Sequence, residues 1–238
     1  MSDIILHHYA GSPFSEKVRL LLGYKNASYK AVDIPVIMPK PDFVALTGGY
    51  RKTPAMQIGA DIYCDSAIMC RVIDALYPQQ TIYPSELEAT LGATAHWVDT
   101  FFFKVCVAKS FQPKVLAEHP LFSNAEAAAA FTADRAELNR GSVAEPMTTA
   151  QAEAYWLVHL QQLEQQLQSR AFLMGDAPTI IDFSTYHCLW FAYTNQVLRD
   201  DFSPFEKVLE WYERMTAFGH GEATTISGGE ALDIAKET

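Results

Sequence analysis

The 238-residue chain is poor in positive charge, in cysteine and in long apolar runs, and each shortage closes off a class of function. Eighteen Lys and Arg stand against 28 Asp and Glu, a formal net charge of −10. Such a chain carries no basic footprint for nucleic acid and is repelled by anionic lipid. No stretch approaches the ~18 apolar residues of a membrane span; even Phe101-Phe102-Phe103 is bracketed by Asp99 and Lys104. The opening Met1-Ser2-Asp3-Ile4 has neither the basic nor the apolar region of a secretory signal, so a cytoplasmic location is expected. The four cysteines, Cys64, Cys70, Cys106 and Cys188, form no CxxC pair and show no metal-ligand spacing. In a reducing compartment they read as buried thiols. His7 and His8 lie in a strand-like run, where neighbouring side chains face opposite sides, and no metal site is expected.

What the chain does contain is core-forming material. Apolar residues make up 49%, with 14 Phe, 11 Tyr and 4 Trp, too hydrophobic a composition for disorder. The charge is unevenly placed. Residues 1–78 carry 8 Lys and Arg against 7 Asp and Glu, a net of +1, whereas residues 79–238 carry a net of −11. That break suggests two domains, 1–78 and 84–238.

In the first, Ile4–Tyr9 reads as a strand ended by Ala10-Gly11-Ser12-Pro13. Pro13 suits a first helical turn, and Phe14, Val18, Leu21 and Leu22 follow at helical spacing until Gly23. Ser28–Ile34 reads as a second strand, and the prolines at 35, 39 and 41 lead into a short helix near Asp42–Leu46. Ala55–Ile58 and Ile62–Cys64 flank Gly59-Ala60-Asp61 as a hairpin would. Asp65-Ser66 supplies N-cap residues for a helix ending at Tyr77-Pro78. The order is βαβαββα. Beyond Pro84 the patterns are helical and no alternating strand stands out, so this half reads as all-α. It includes an Ala-rich helix from Ser123, a loop over Asn139–Thr149 and a capping box at Thr179-Ile180-Ile181-Asp182.

Three places in the first domain carry possible chemistry. Ser12 stands at a strand-to-helix turn, where unpaired N–H groups and the helix dipole favour an anion. Thr53-Pro54 precedes a strand, where a cis proline leaves the preceding backbone able to pair with an extended peptide. Asp65-Ser66 opens another helix, where N–H groups and a hydroxyl could hold a carboxylate while Asp65 pairs with an ammonium. Together they describe a binder of a short zwitterionic peptide. Singly, each also fits an ordinary cap or turn.

Tyr9-Ala10-Gly11-Ser12-Pro13-Phe14-Ser15-Glu16-Lys17-Val18-Arg19, then Lys52-Thr53-Pro54-Ala55-Met56, then Asp65-Ser66-Ala67-Ile68 resemble the N-terminal thioredoxin-like domain of cytosolic glutathione transferases. Thr179–Ser184 is similar to the buried capping box of that family's helical domain, so the resemblance spans nearly the whole chain. It implies an α/β thioredoxin-like domain that binds glutathione and an all-α domain that contributes a hydrophobic co-substrate pocket. By position, Ser12 would donate to the glutathione sulfur and the Thr53 backbone, ahead of a cis Pro54, would pair with the cysteinyl unit. Asp65 and Ser66 would hold the γ-glutamyl end, and Lys52 would reach the glycine carboxylate. Many relatives carry Glu or Gln where Asp65 stands. Tyr9 is the alternative thiol donor and Ser15 a further candidate.

The resemblance implies a homodimeric enzyme that adds the glutathione thiolate to small apolar electrophiles, with glutathione as co-substrate and no prosthetic group. Serine at position 12 disfavours disulfide reduction, because a hydroxyl cannot form a mixed disulfide. The competing expectation is a non-catalytic relative that binds apolar ligands or protein partners, since a fold does not fix a function. Phe101, Phe102 and Phe103 cannot share one helix face, so one at least is expected to leave the core; Trp97 and Phe111 are further candidates for a cleft.

Overall fold

The computed structural model describes residues 3–118, 124–142 and 146–237. The chain divides into two compact units, residues 1–87 with 214–238, and residues 88–213.

The first unit follows the expected order: β1 (Ile4–His8), α1 (Pro13–Tyr24), β2 (Ser28–Asp33), α2 (Pro41–Thr47), β3 (Ala55–Ile58), β4 (Asp61–Cys64) and α3 (Ser66–Leu76). β1 pairs parallel with β2 and antiparallel with β3, which pairs antiparallel with β4 through a turn that uses Gly59 at φ 61°. Ile5, Val32, Ile34, Phe43 and Ala55 are buried together, the four larger side chains each worth about 1.5–3 kcal/mol when removed from water.

The tail departs from the sequence reading, which ran one all-helical half from 84 to 238. Residues Glu222–Thr225 form β5, parallel to β2, giving the five-stranded order β4-β3-β1-β2-β5. The helix that follows, Gly228–Glu237, adds Ala231 and Ile234 to the same cluster. β5 escapes a pattern search because all four of its side chains are exposed. Backbone pairing to β2, not an apolar face, holds it. The tail also explains Gly23. α1 runs one residue past it, and the Gly219 backbone occupies the space a Cβ at position 23 would need.

The second unit is helical: α4 (Glu88–Trp97), α5 (Phe103–Ser110), α6 (Pro113–Leu116), α7 (Ala125–Leu138), α8 (Thr149–Gln166), α9 (Ile180–Tyr193) and most of α10 (Glu206–Thr216); α11 (Gly228–Glu237) is the tail helix of the first unit. α7 is the expected Ala-rich helix; Ser123, and residues 143–145 of the expected loop, lie outside the described residues. A π-helical turn, Val98–Phe102, joins α4 to α5. It turns Phe102 fully into the core and leaves Phe101 and Phe103 half-buried.

Asp182 organises the helical unit. Its Oδ2 accepts from the Thr179 N–H at 2.9 Å and the Thr179 hydroxyl at 3.2 Å, while Oδ1 accepts from the Leu173 N–H at 2.8 Å and Trp211 Nε1 at 3.0 Å. Burial pushes the carboxyl above its ordinary range against these four donors. Among the described residues no helix is long and apolar enough to cross a membrane.

Candidate functional site

Strand register places the three sequence-derived points at one end of the sheet. His7 lies opposite Ala55, and Ala55 opposite Cys64. The chain that leaves β1 toward Ser12, the chain that enters β3 from Thr53-Pro54 and the chain that leaves β4 into Asp65-Ser66 are therefore neighbours.

Ser12 is the N-cap of α1, with φ −80° and ψ 118°, and Pro13 occupies the first helical position as expected. Its Oγ accepts from the Ser15 N–H at 3.2 Å, and its own N–H donates to the Tyr9 carbonyl at 3.2 Å. Ser12 is 2% exposed. A hydroxyl that accepts one bond still has its O–H to donate. Ser15 is fully buried in the first turn of α1, and among the described residues its Oγ has no hydrogen-bond partner.

Thr53-Pro54 is a cis peptide. Lys40 is the residue that sequence reasoning missed here. It is buried just ahead of α2, and its Nζ donates to Thr53 Oγ1 at 3.0 Å and lies 5.7 Å from the Tyr9 ring centroid and 5.6 Å from that of Phe43. Lys52, in contrast, is exposed. Nothing local marks Lys40 in the sequence; only its spacing between Pro39 and Pro41 hints that the chain is held there. Tyr9 is half-buried and packs against the Ile5–Phe43 cluster.

Asp65 caps α3 at φ 83° and ψ 120°, a left-handed backbone that is costly for a residue with a Cβ. Its Oδ1 accepts from the Ala67 N–H at 2.8 Å, and its carboxylate is exposed. Ser66 is buried at the first helical position. Beside them, burial and then the Cys64 and Asp65 charges push the Tyr50 hydroxyl above its usual range. Burial also pushes the Cys64 thiol up, away from the thiolate a nucleophile needs. Among the described residues no group of three or more His, Cys, Asp and Glu is arranged to hold a metal.

Residues 6–81 match the model of the glutathione S-transferase N-terminal domain and residues 146–214 that of the C-terminal domain. A GST-like protein from Pseudomonas syringae is 37% identical, with all of this chain and 75% of that one aligned at a TM-score of 0.82. The chain belongs to the glutathione S-transferase family. A glutathione S-transferase from Rhodospirillum rubrum F11, 20% identical over 90% of this chain and 88% of that one (TM-score 0.62), shares the fold. So does the beta-etherase LigF from Sphingobium sp. strain SYK-6, 14% identical over 90% and 95% (TM-score 0.64). No curated protein matches the chain. For this glutathione S-transferase family member, the thioredoxin-like first unit and the helical second unit are the family's architecture.

Proposed function

We propose that the chain is a cytoplasmic, homodimeric glutathione transferase in which Ser12 donates a hydrogen bond to the glutathione sulfur, and the thiolate then adds to a small apolar electrophile. The observation that carries the reading is the convergence, at one end of the sheet, of two helix N-termini, a cis-proline segment and a buried ammonium. Each matches a part of an extended peptide with two carboxylates and one ammonium. Helix N-termini favour anions, so the start of α3 with Ser66 suits the γ-glutamyl carboxylate and Asp65 its ammonium. Lys40 takes the role that the resemblance implies for Lys52 and faces the glycine carboxylate, because it is the cation held against Thr53. The Thr53 backbone pairs with the cysteinyl unit.

The Ser12 hydroxyl and the dipole of α1 act on the thiol. A free thiol has a pKa of ~8.5 and is mostly protonated at neutral pH. A donor and a helix N-terminus that favour the thiolate by about 2.7 kcal/mol would lower that value by roughly two units. Tyr9 is the weaker donor candidate, since its ring is spent on packing. On the helical unit the exposed rings of Trp97 and Tyr155 flank half-buried Phe101, whose ring centroid lies 5.5 Å from that of Trp97 and 4.9 Å from that of Tyr155, and this face is the one proposed to meet a second copy.

One observation favours a second reading. Ser12 is almost wholly buried and already caps α1, as it would in a relative that binds without catalysing. Glutathione titration followed by thermal shift, with thiolate absorbance of the bound tripeptide across pH, separates the two. An enzyme shows stabilisation at millimolar glutathione and a thiolate midpoint well below that of free thiol, and Ser12→Ala returns the midpoint toward ~8.5. Stabilisation with an unshifted midpoint in the parent supports the non-catalytic reading.

A further inference from the structure

Beneath the turn that carries Ser12 lies a guanidinium with every donor in use. Arg19 is 6% exposed. Its Nε donates to Glu16 Oε2 at 3.1 Å, and Nη2 donates to the same oxygen at 2.7 Å and to the Ala10 carbonyl at 2.9 Å. Nη1 donates to the Tyr9 carbonyl at 3.3 Å and to His8 Nδ1 at 2.9 Å. A guanidinium has five N–H donors and no acceptor, so the set is complete. An imidazole nitrogen facing it can only accept. Burial first, and then the Arg19 charge, pull the His8 pKa down to about 4.

The two carbonyls held by Arg19 open the turn of Tyr9, Ala10 and Gly11, and the Tyr9 carbonyl is also the one that accepts the Ser12 N–H. Glu16, 2% exposed, spends its other oxygen on the tail: Oε1 accepts from His220 Nε2 at 3.0 Å. His220 directly precedes Gly221 and β5. A lysine could not replace this fork, because an ammonium is a point charge without the planar, fixed donor geometry.

We infer that Arg19 is a positioning residue for Ser12, fixing the turn by its carbonyls, and that His220 of the C-terminal tail fixes Arg19 through Glu16. The tail thereby sets the aim of a hydroxyl that it does not touch. This rests on the reading of Ser12 as the thiol donor.

The test uses the full chain and the variants Arg19→Lys and His220→Leu, with two readouts. Hydrogen exchange reports the turn without glutathione. In Arg19→Lys the Ser12 and Ser15 amides exchange about tenfold faster while the Met56 amide in β3 keeps its protection; His220→Leu shows a smaller change in the same direction. Thiolate absorbance of bound glutathione reports the aim of Ser12, its pH midpoint moving up by roughly one unit in Arg19→Lys. Parent-like exchange at both amides overturns the inference, as does faster exchange with an unmoved midpoint, which is what a merely structural arginine would give. Where Arg19→Lys fails to fold, Glu16→Gln is read by the same two measurements and the same criteria. Absence of a thiolate band in the parent overturns the transferase reading by itself, and the exchange data still decide whether Arg19 and the tail hold the turn.

Discussion

Asp65 does two jobs that one substitution can separate. Its carboxylate caps α3, and in the proposed complex it pairs with an ammonium. Asp65→Asn keeps an acceptor oxygen for the Ala67 N–H and a side chain tolerant of positive φ, so the expected outcome is a melting temperature close to the parent's with glutathione affinity weakened about tenfold, read by calorimetry. Asp65→Ala loses the cap as well and costs a further 0.5–2 kcal/mol or so. Equal affinity in parent and Asp65→Asn would remove the ammonium contact. Ser12, Thr53-Pro54 and Asp65-Ser66 were legible in the sequence because each sits at punctuation: a proline, or a cap residue before an apolar run. Lys40 and Arg19 were not. Whether a cation is buried depends on acceptors supplied from elsewhere in the chain, such as Thr53 for Lys40 or the Tyr9 and Ala10 carbonyls for Arg19, and no local pattern encodes that.

At the scale of elements, the capping box of α9 was legible because its partners are three residues apart, but its reach was not. The same Asp182 carboxylate also takes the Leu173 N–H and the Trp211 indole, tying a preceding turn and a following helix to the start of α9. Asp182→Ala leaves buried donors without acceptors, each costing ~1–3 kcal/mol, and the expected loss is about 3–5 kcal/mol in urea unfolding, with Asp182→Asn losing less. A loss below ~1 kcal/mol for Asp182→Ala would show that water replaces the carboxylate. β5 marks the opposite limit. Glu222-Ala223-Thr224-Thr225 has neither apolar alternation nor a buried side chain, and its pairing partner lies about two hundred residues away, so only the folded chain reveals it.

For the molecule as a whole, histidines on both sides of neutrality bound the stable pH range. His159, packed against the rings of Trp97 and Phe102, is pulled down to about 4 by burial despite a hydrogen bond with Gln162 that favours the protonated ring, and His8 lies at about 4 as well. Below the ordinary value of 6.5 the unfolded chain binds protons that the folded one refuses. Stability is therefore full above pH 6.5 and falls as pH drops toward 4, by at most ~3 kcal/mol for His159. His187 has the other sign. Burial lowers it, but Cys188 and the Asp99 carboxylate at 2.9 Å outweigh burial and raise it to about 9. Its contribution is full below 6.5 and is lost as pH rises through 9. Melting temperatures from pH 4 to 10 should trace a dome, with a shallower acid limb in His159→Leu; an identical acid limb would mean that His159 takes no part in it and that other groups, His8 and carboxylates among them, set it.

The first unit is built from both ends of the chain, with the helical unit threaded between them. During synthesis β1 to α3 emerge well before β5 and α11, so β2 keeps an open edge and the Phe43 cluster lacks Ala231 until that later segment has emerged. β5 is thus translated only after the whole helical unit, so a stop codon ahead of Glu222 leaves the edge of β2 uncovered. A stop ahead of His220 also leaves the buried Glu16 carboxylate without that partner, so an open strand edge and a half-satisfied buried charge arise together.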